Sequence, residues 1–318
     1  MSAWASMRDR VEAYLAARRR LGYVLHIEGQ ELQRFARFAE ERGHRGPVTI
    51  DLALDWANAS KRGSPLYRAR RLEIVRGLAK YCALFEPDTE VPATKLLGPA
   101  HRRVTPHIYT DPELEQLLAA AAELTPDNGL RPATMRCLLG LLAATGLRIS
   151  EALHLSLMDV DLVREVLTVR ETKFRKSRYV PLHPSTTNAL AEYARFRDRR
   201  LPLARGTAFF LSDGGQPFPY RHALYAFQRL RQRLGWENRA GRSPRLYDLR
   251  HTFACRRLLA WYQEGVDVNW ALPLLSTYLG HGKVTDTYWY LTGIPALMAI
   301  AGERFERLAA ADGEESHG

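Results

Sequence analysis

LLAATGLRISEALHL, residues 141–155, is the stretch on which the reading of the whole chain turns. Apolar residues at helical spacing, Met135, Leu138, Leu139, Leu141 and Leu142, lead into it, and the pattern stops at Gly146, a residue type that commonly ends helices. SEALHL starts a second helix, which leaves Arg148 between two apolar runs. A guanidinium in such surroundings needs an anionic partner. Two are open: an ion pair with Glu151 one helical turn on, or an anionic ligand.

Downstream, polar residues are set into apolar surroundings three more times. VLTVRETKFRKSRYVPL (166–182) reads as a β-hairpin, with β-branched residues on either side of a basic turn that holds Lys173. In SPRLYDLRHTFACRRLL (243–259) a Pro turn feeds a helix that carries Arg250 and His251 beside the apolar Leu249, Phe253 and Ala254. LLSTYLGHGKVTDTYWYL (274–291) places a Gly-flanked His281 after an apolar helix and before a Tyr-rich segment containing Tyr288 and Tyr290. Taken one at a time these have bland readings: a solvated turn lysine, a satisfied structural arginine, core tyrosines.

Upstream, four amphipathic patterns, near 6–20, 28–42, 50–60 and 66–85, predict a small helical bundle broken at Gly43/Gly46/Pro47 and Gly63/Ser64/Pro65. Residues 86–108 hold four prolines and no sustained period, as a linker does. TDPELEQLL then opens a helix, with Thr110 or Asp111 as N-cap and Pro112 at the first helical position. The expected organisation is a helical domain over 1–90, a linker over 91–106 and a second domain over 107–318. The fold class is mainly α with a small antiparallel β-sheet.

The 318 residues suit about two domains with a sizeable core, which excludes disorder as the main state. Lysine and arginine number 46 against 35 aspartate and glutamate, a formal balance of +11. The excess is spread, 17 against 12 in residues 1–100 and 29 against 23 beyond, so this is no basic tail on a neutral body. A folded protein that is basic throughout most often meets a polyanion, because neutralised phosphates release counterions. Cys82, Cys137 and Cys255 lie far apart with no CxxC pair, which suggests neither a disulfide framework nor a zinc site and fits a reducing compartment. Early charge argues against a signal peptide, and no stretch approaches the roughly 18 apolar residues of a membrane span. A soluble, cytoplasmic, nucleoid-associated protein with no membrane partner is expected. GxxxxGK[ST] and GxGxxG are absent and the carboxylates form no defensible Mg²⁺ cluster, so no cofactor and no metal are expected.

Together, TGLRISE, a lysine hairpin ending in VPL, a DLRHTFA helix, LGH and a Tyr nine residues after that His resemble the tyrosine recombinase (phage integrase) family, through dispersed motifs across residues about 105–300. The helical N-terminal part is similar to the family's core-binding domain. The resemblance implies that Arg148 and Arg250 are the two catalytic arginines, that Lys173 is the hairpin lysine with Lys176 as fallback, and that Glu151 steadies Arg148. It makes His281 the His/Trp position and Tyr290 the nucleophile. Tyr288 is a rival, at seven residues after His281 where the family pattern has nine. One position departs: the box around the second arginine usually starts His-x-x-Arg, and here Tyr247 stands in the place of that His. A phenol, with an ordinary pKa of about 10, is no neutral-pH base, although it still hydrogen-bonds a phosphate oxygen. His251 is a possible substitute, but adjacent helix positions point in different directions.

The implied chemistry fits these residue types. Attack by a tyrosine on a phosphodiester builds a five-coordinate state whose extra negative charge two guanidiniums can fork onto, and the leaving 5′ oxygen takes a proton from a cationic acid. The product is a 3′-phosphotyrosine that a second strand's 5′ hydroxyl can reverse, without ATP or metal. Double-stranded DNA is then the partner, gripped by phosphate contacts from Arg68 and Arg71 on the fourth helix and from Arg221, Arg229, Arg231 and Arg245, with the interleaved aromatics Tyr220, Tyr225, Phe227 and Trp236 in the core. The family also implies a homo-tetramer on synapsed sites, monomer or weak dimer off DNA, with accessory recombinases or DNA-bending proteins as possible helpers. An apolar stripe past Tyr290 (Ile294, Leu297, Met298, Ala301, Phe305, Leu308) would dock on a neighbouring protomer. The spacing from His251 to His281 and the DTYWYL wording resemble transposon-encoded members, an integrase or transposase of a mobile element. Two rivals stand beside this expectation: an inactive DNA-binding protein of the same fold, and a type IB topoisomerase.

Overall fold

The computed structural model describes residues 4–60, 63–101, 105–127, 129–170, 177–203, 206–237 and 243–292. The chain divides into two compact units, Met1–Val104 and Thr105–Gly318.

The first unit is a four-helix arrangement of α1 (Met7–Arg20), α2 (His26–Glu41), α3 (Ile50–Asn58) and α4 (Pro65–Cys82). Side-chain hydroxyls start three of them: Ser6 in a capping box with Asp9, Thr49 on the Leu52 amide, and Ser64 ahead of Pro65. Val11, Leu15, Leu32, Phe35, Trp56, Leu72, Val75 and Leu78 close the core. Arg10 is fully buried there and forks onto Glu86 at 2.8 and 2.7 Å, so the residues after α4 fold back onto α1. Arg71 corrects an expectation. The residue is only 5% exposed, its guanidinium lies 3.5 Å from the centre of the Trp56 ring and pairs with Glu31 at 3.7 Å, so this side chain packs into the bundle core. Arg68 stays exposed, one N–H donated to the Gly63 carbonyl.

The second unit packs helices around a small sheet. α5 (Asp111–Ala122) begins with a Thr110–Glu113 capping box; the helix starts at Asp111, one residue before Pro112. α6 (Leu130–Thr145) is the central helix, with Met135, Leu138, Leu139, Leu141 and Leu142 all buried. After α7 (Ile149–Leu153) and a short 3₁₀ turn come β1 (Val160–Asp161), β2 (Val166–Val169) and β3 (Arg178–Pro181), an antiparallel sheet in the order β1-β2-β3. The expected hairpin is β2 against β3, with Leu167 opposite Val180 and Val169 opposite Arg178. The period of two puts Leu167, Val169 and Val180 inside. α8 (Pro184–Arg200), α9 (Tyr220–Arg233), α10 (Asp248–Gln263), α11 (Val268–Leu279) and α12 (Thr285–Thr292) follow. A separate apolar cluster joins the last three: Ala254, Cys255 and Leu258 of α10, Leu272, Leu275 and Leu279 of α11, and Tyr290 of α12. The fold is mainly helical with a small antiparallel sheet. Among the described residues no helix is long and apolar enough to cross a membrane.

Candidate active site

Two helix C-termini build the site. α6 ends at Gly146 (φ +62°) and α11 at Gly280 (φ +68°), both in the left-handed region that glycine tolerates. A Cβ at Gly146 would stand 2.5 Å from the Phe253 ring, and one at Gly280 would stand 2.7 Å from a guanidinium nitrogen of Arg178. The last carbonyls of a helix have no partner inside it and carry partial negative charge, so cations gather there. Arg250 donates to the Gly146 carbonyl at 2.7 Å and to Leu279 at 2.6 Å; Arg148 donates to Gly280 at 3.1 Å. Arg250 is 1% exposed, and its Nε is buried without a hydrogen-bond partner among the described residues.

Glu151 locks the arrangement from the other side. Its carboxylate accepts the Arg148 side chain at 2.7 Å and the Arg148 amide at 3.0 Å, so both partners weighed for Arg148 remain compatible. It also accepts two N–H groups of Arg178, at 3.2 and 2.8 Å, while Arg178 Nε donates to the Tyr278 carbonyl at 2.6 Å. Arg178 was missed in the sequence. Its only local signal is alternation: it lies two residues from the inward Val180 on β3. Burial works against a charged Glu151, but the hydrogen bonds and charges of Arg178 and Arg148 outweigh it and hold the carboxyl below the usual range.

Tyr290 is 3% exposed, between two imidazoles. His281 stacks on it with ring centres 6.0 Å apart and planes 17° from parallel; His251 meets it edge-on at 5.4 Å and 62°. Burial pushes the phenol up to about 12, and the Arg250 charge beside it works the other way. The His281 ring nitrogen Nδ1 is hydrogen-bonded to the Thr287 hydroxyl at 2.7 Å. Burial, then the charges of Arg250 and Arg148, push His281 down to about 4. Tyr247 immediately precedes α10, is 46% exposed, and touches His251 edge-on at 5.0 Å. Tyr288 is 50% exposed. The site thus brings together Arg148, Glu151, Tyr247, Arg250, His251, His281 and Tyr290. Lys173 and Lys176 lie outside the described residues, as does the apolar stripe over 294–308.

Of the arginines assigned to DNA, Arg221 and Arg229 are exposed on α9. Arg231 is partly buried and donates to the Pro244 carbonyl at 3.3 Å, and Arg245 forks onto the fully buried Asp248 at 2.6 and 3.2 Å. Phe227 and Trp236 are in the core as expected, whereas Tyr220 and Tyr225 are half-exposed, because α9 buries only the stripe Ala223, Ala226, Phe227 and Leu230. Among the described residues no cluster of three or more His, Cys, Asp or Glu has the arrangement to hold a metal ion.

The two imidazoles give a pH prediction. Burial first, with the Arg245 and Arg250 charges aiding and Asp248 opposing, pushes His251 down to about 4, as happens to His281. Both folded values lie below the ordinary value of about 6.5, so between those values the unfolded chain binds more protons. The stabilisation is complete above pH 6.5 and declines as pH falls toward 4, where it levels off. Thermal midpoints from pH 7.5 to 4.5 should therefore fall, and His251→Gln should show a shallower fall; equal slopes would remove His251 from this account.

The model of the phage integrase family matches residues 108–293, which contain the site built above. The chain is 39% identical over 308 residues to y4rB of Sinorhizobium fredii, which bears an integrase/recombinase name, covering 95% of this chain and 98% of that one. It is 32% identical over 289 residues to the tyrosine recombinase XerD of Mycobacterium tuberculosis, covering 85% and 88%. In fold it resembles the Tn1549 transposon integrase solved with a circular intermediate DNA (TM-score 0.67, 17% identity, 96% of this chain and 100% of that one). XerH recombinase on its difH substrate is similar too (TM-score 0.62, 19% identity, 88% and 79%). With that match over more than half its length, and with its arginines, histidines and tyrosine gathered at one place, the chain belongs to the phage integrase family of tyrosine recombinases.

Proposed function

We propose that this protein cuts and rejoins double-stranded DNA at specific sites, with Tyr290 as the nucleophile that forms a 3′-phosphotyrosine. The observation that carries this reading is the burial of the Tyr290 phenol beside Arg250, at the point where the C-termini of α6 and α11 hold Arg250 and Arg148. A phosphate entering there would bring its own negative charge close to the Arg250 and Arg148 guanidiniums, and charge that builds up on phosphorus oxygens during attack is stabilised most by such fixed donors. Lys173, which lies between β2 and β3 in the sequence, protonates the leaving 5′ oxygen. His281 has one ring nitrogen committed to Thr287 and offers the other to a phosphate oxygen. Residues 1–90 act as a core-binding domain joined by 91–106 to the catalytic domain 107–318, and each contacts the duplex, with Arg68, Arg221, Arg229, Arg231 and Arg245 on its backbone. Two sites are synapsed by a tetramer that disperses to monomers or weak dimers off DNA, in the cytoplasm at the nucleoid. The whole-length likeness to an integrase/recombinase-named protein, and the fold likeness to a transposon integrase, favour a mobile element as the setting.

Covalent trapping tests this. Purified protein is mixed with EDTA and nicked duplexes made from the DNA flanking its own gene, then quenched in SDS. A metal-independent protein–DNA adduct is expected. Tight binding with no adduct would replace the proposal with a non-catalytic DNA-binding protein, and relaxation of a supercoiled plasmid lacking any such site would replace it with a topoisomerase.

A further inference from the structure

The residue at the His position of the second-arginine box is a tyrosine, and a phenol, with an ordinary pKa of about 10, is no base near neutral pH. Tyr247 is about half exposed and touches His251 edge-on. His281 is no better suited: its ring lies nearly parallel to Tyr290 at 6.0 Å, and Nδ1 is already bonded to Thr287. A ring nitrogen bonds in the plane of its ring, so a stacked imidazole aims its nitrogens alongside the phenol and not into it. His251 differs in each respect. It is 9% exposed, it stands edge-on between Tyr247 and Tyr290, and its Nδ1 is buried with no hydrogen-bond partner among the described residues. A buried polar nitrogen left unpaired is costly and unusual, and in native proteins it points to a redox or catalytic role or to an unseen partner.

We propose that His251, one residue after the second arginine, is the proton acceptor for Tyr290, and that Tyr247 only covers it. This rests on the reading of Tyr290 as nucleophile. The step balances with the proposed roles. The Tyr290 O–H proton passes to an imidazole nitrogen of His251, the phenol oxygen forms the bond to phosphorus, and the bond to the 5′ oxygen breaks with a proton supplied by Lys173. On rejoining, the 5′ hydroxyl gives its proton back to the Lys173 amine as its oxygen bonds phosphorus, and the imidazolium returns its proton to the departing phenol oxygen. The surroundings of His251 suit an acceptor: burial first, then Arg245 and Arg250, disfavour its protonated form at rest, while Asp248 and the phosphate of a bound DNA favour the imidazolium once it forms. The helical spacing objection to adjacent residues is met by geometry, because Arg250 turns to the carbonyls of Gly146 and Leu279 while His251 turns to α12.

Single-turnover adduct formation on the nicked flanking duplexes separates the possibilities. His251→Gln is expected to slow it about 100-fold, with DNA binding and melting temperature close to those of the wild type, and Tyr247→Phe to slow it less than about fivefold. A His251→Gly variant should be partly restored by added imidazole, which keeps the test valid if the glutamine disturbs packing. A duplex with sulfur in place of the bridging 5′ oxygen has a leaving group that needs no acid, so it should leave His251→Gln as slow as before. Overturning results are a His251→Gln enzyme at wild-type rate, a Tyr247→Phe enzyme that carries the whole loss, or recovery of His251→Gln on the sulfur duplex, which would make His251 the acid. If wild type forms no adduct at all, the nucleophile reading fails first; if it forms one that Tyr290→Phe lacks while His251→Gln keeps pace, only the acceptor assignment fails.

Discussion

Replacing Tyr290 by phenylalanine is expected to abolish the covalent adduct with DNA, while Tyr288→Phe leaves it in place. The two substitutions remove the same atom from residues two apart on α12, but from opposite surroundings. Tyr290 is buried against the cluster of Cys255, Leu258 and Leu279, with Arg250 beside its hydroxyl; Tyr288 is half-exposed. The phenyl ring that Tyr290→Phe leaves behind would keep that apolar packing, so binding to duplex DNA should change less than about threefold and melting by little. The loss would then be one of chemistry, because no oxygen remains to bond phosphorus. SDS gel shift of the two variants beside wild type checks it. An adduct that survives in Tyr290→Phe and vanishes in Tyr288→Phe would move the nucleophile two residues back along α12 and unseat the His251 proposal with it.

The second large effect belongs to Glu151. Changing it to alanine removes a carboxylate that accepts both Arg148 and Arg178, at 2.7 and 2.8 Å, in a place where its own side chain is 6% exposed. Two guanidiniums would be left facing each other with Arg250 near by. Breaking a buried pair from one side costs about 3–5 kcal/mol. Glu151→Gln keeps the shape and some acceptors but not the charge, so it should fall between. Urea unfolding of the three proteins measures this, and a loss under about 1 kcal/mol in the alanine variant would mean that the helix-end carbonyls alone hold the arginines. The same pair dictates a further acid response: with the Glu151 carboxyl held low by its partners, its contribution is present above about pH 4.3 and is lost as pH falls through its folded value.

The fold was legible where one period dominated a window. α6, whose apolar residues recur without interruption to a terminal glycine, and the pairing of β2 with β3, whose β-branched residues flank a basic stretch of sequence, were plain from the residues alone. At the site, Arg148, Glu151, Arg250, His281 and Tyr290 were found through the order and spacing of their motifs, and they do converge. Arg178 was invisible because its importance lies in a carboxylate 27 residues earlier and a carbonyl 100 residues later, neither of which leaves a mark on RYVP. Arg71 misled for the converse reason: a run of arginines on a helix looks uniform, yet this one turns inward onto Trp56. Tyr220 and Tyr225 are outside because aromatic character alone does not say which flank of a basic helix faces the core.

The glycine-ended helices have a thermodynamic consequence for substrate capture. A free arginine side chain carries about 2 kcal/mol of rotamer entropy. Arg148, Arg178 and Arg250 are each already confined by main-chain carbonyls, at Gly280, at Tyr278, and at Gly146 and Leu279. That disorder is surrendered when the domain folds, not when DNA arrives. An incoming phosphate therefore meets donors that need no ordering, and the heat released on its binding is not cancelled by freezing them.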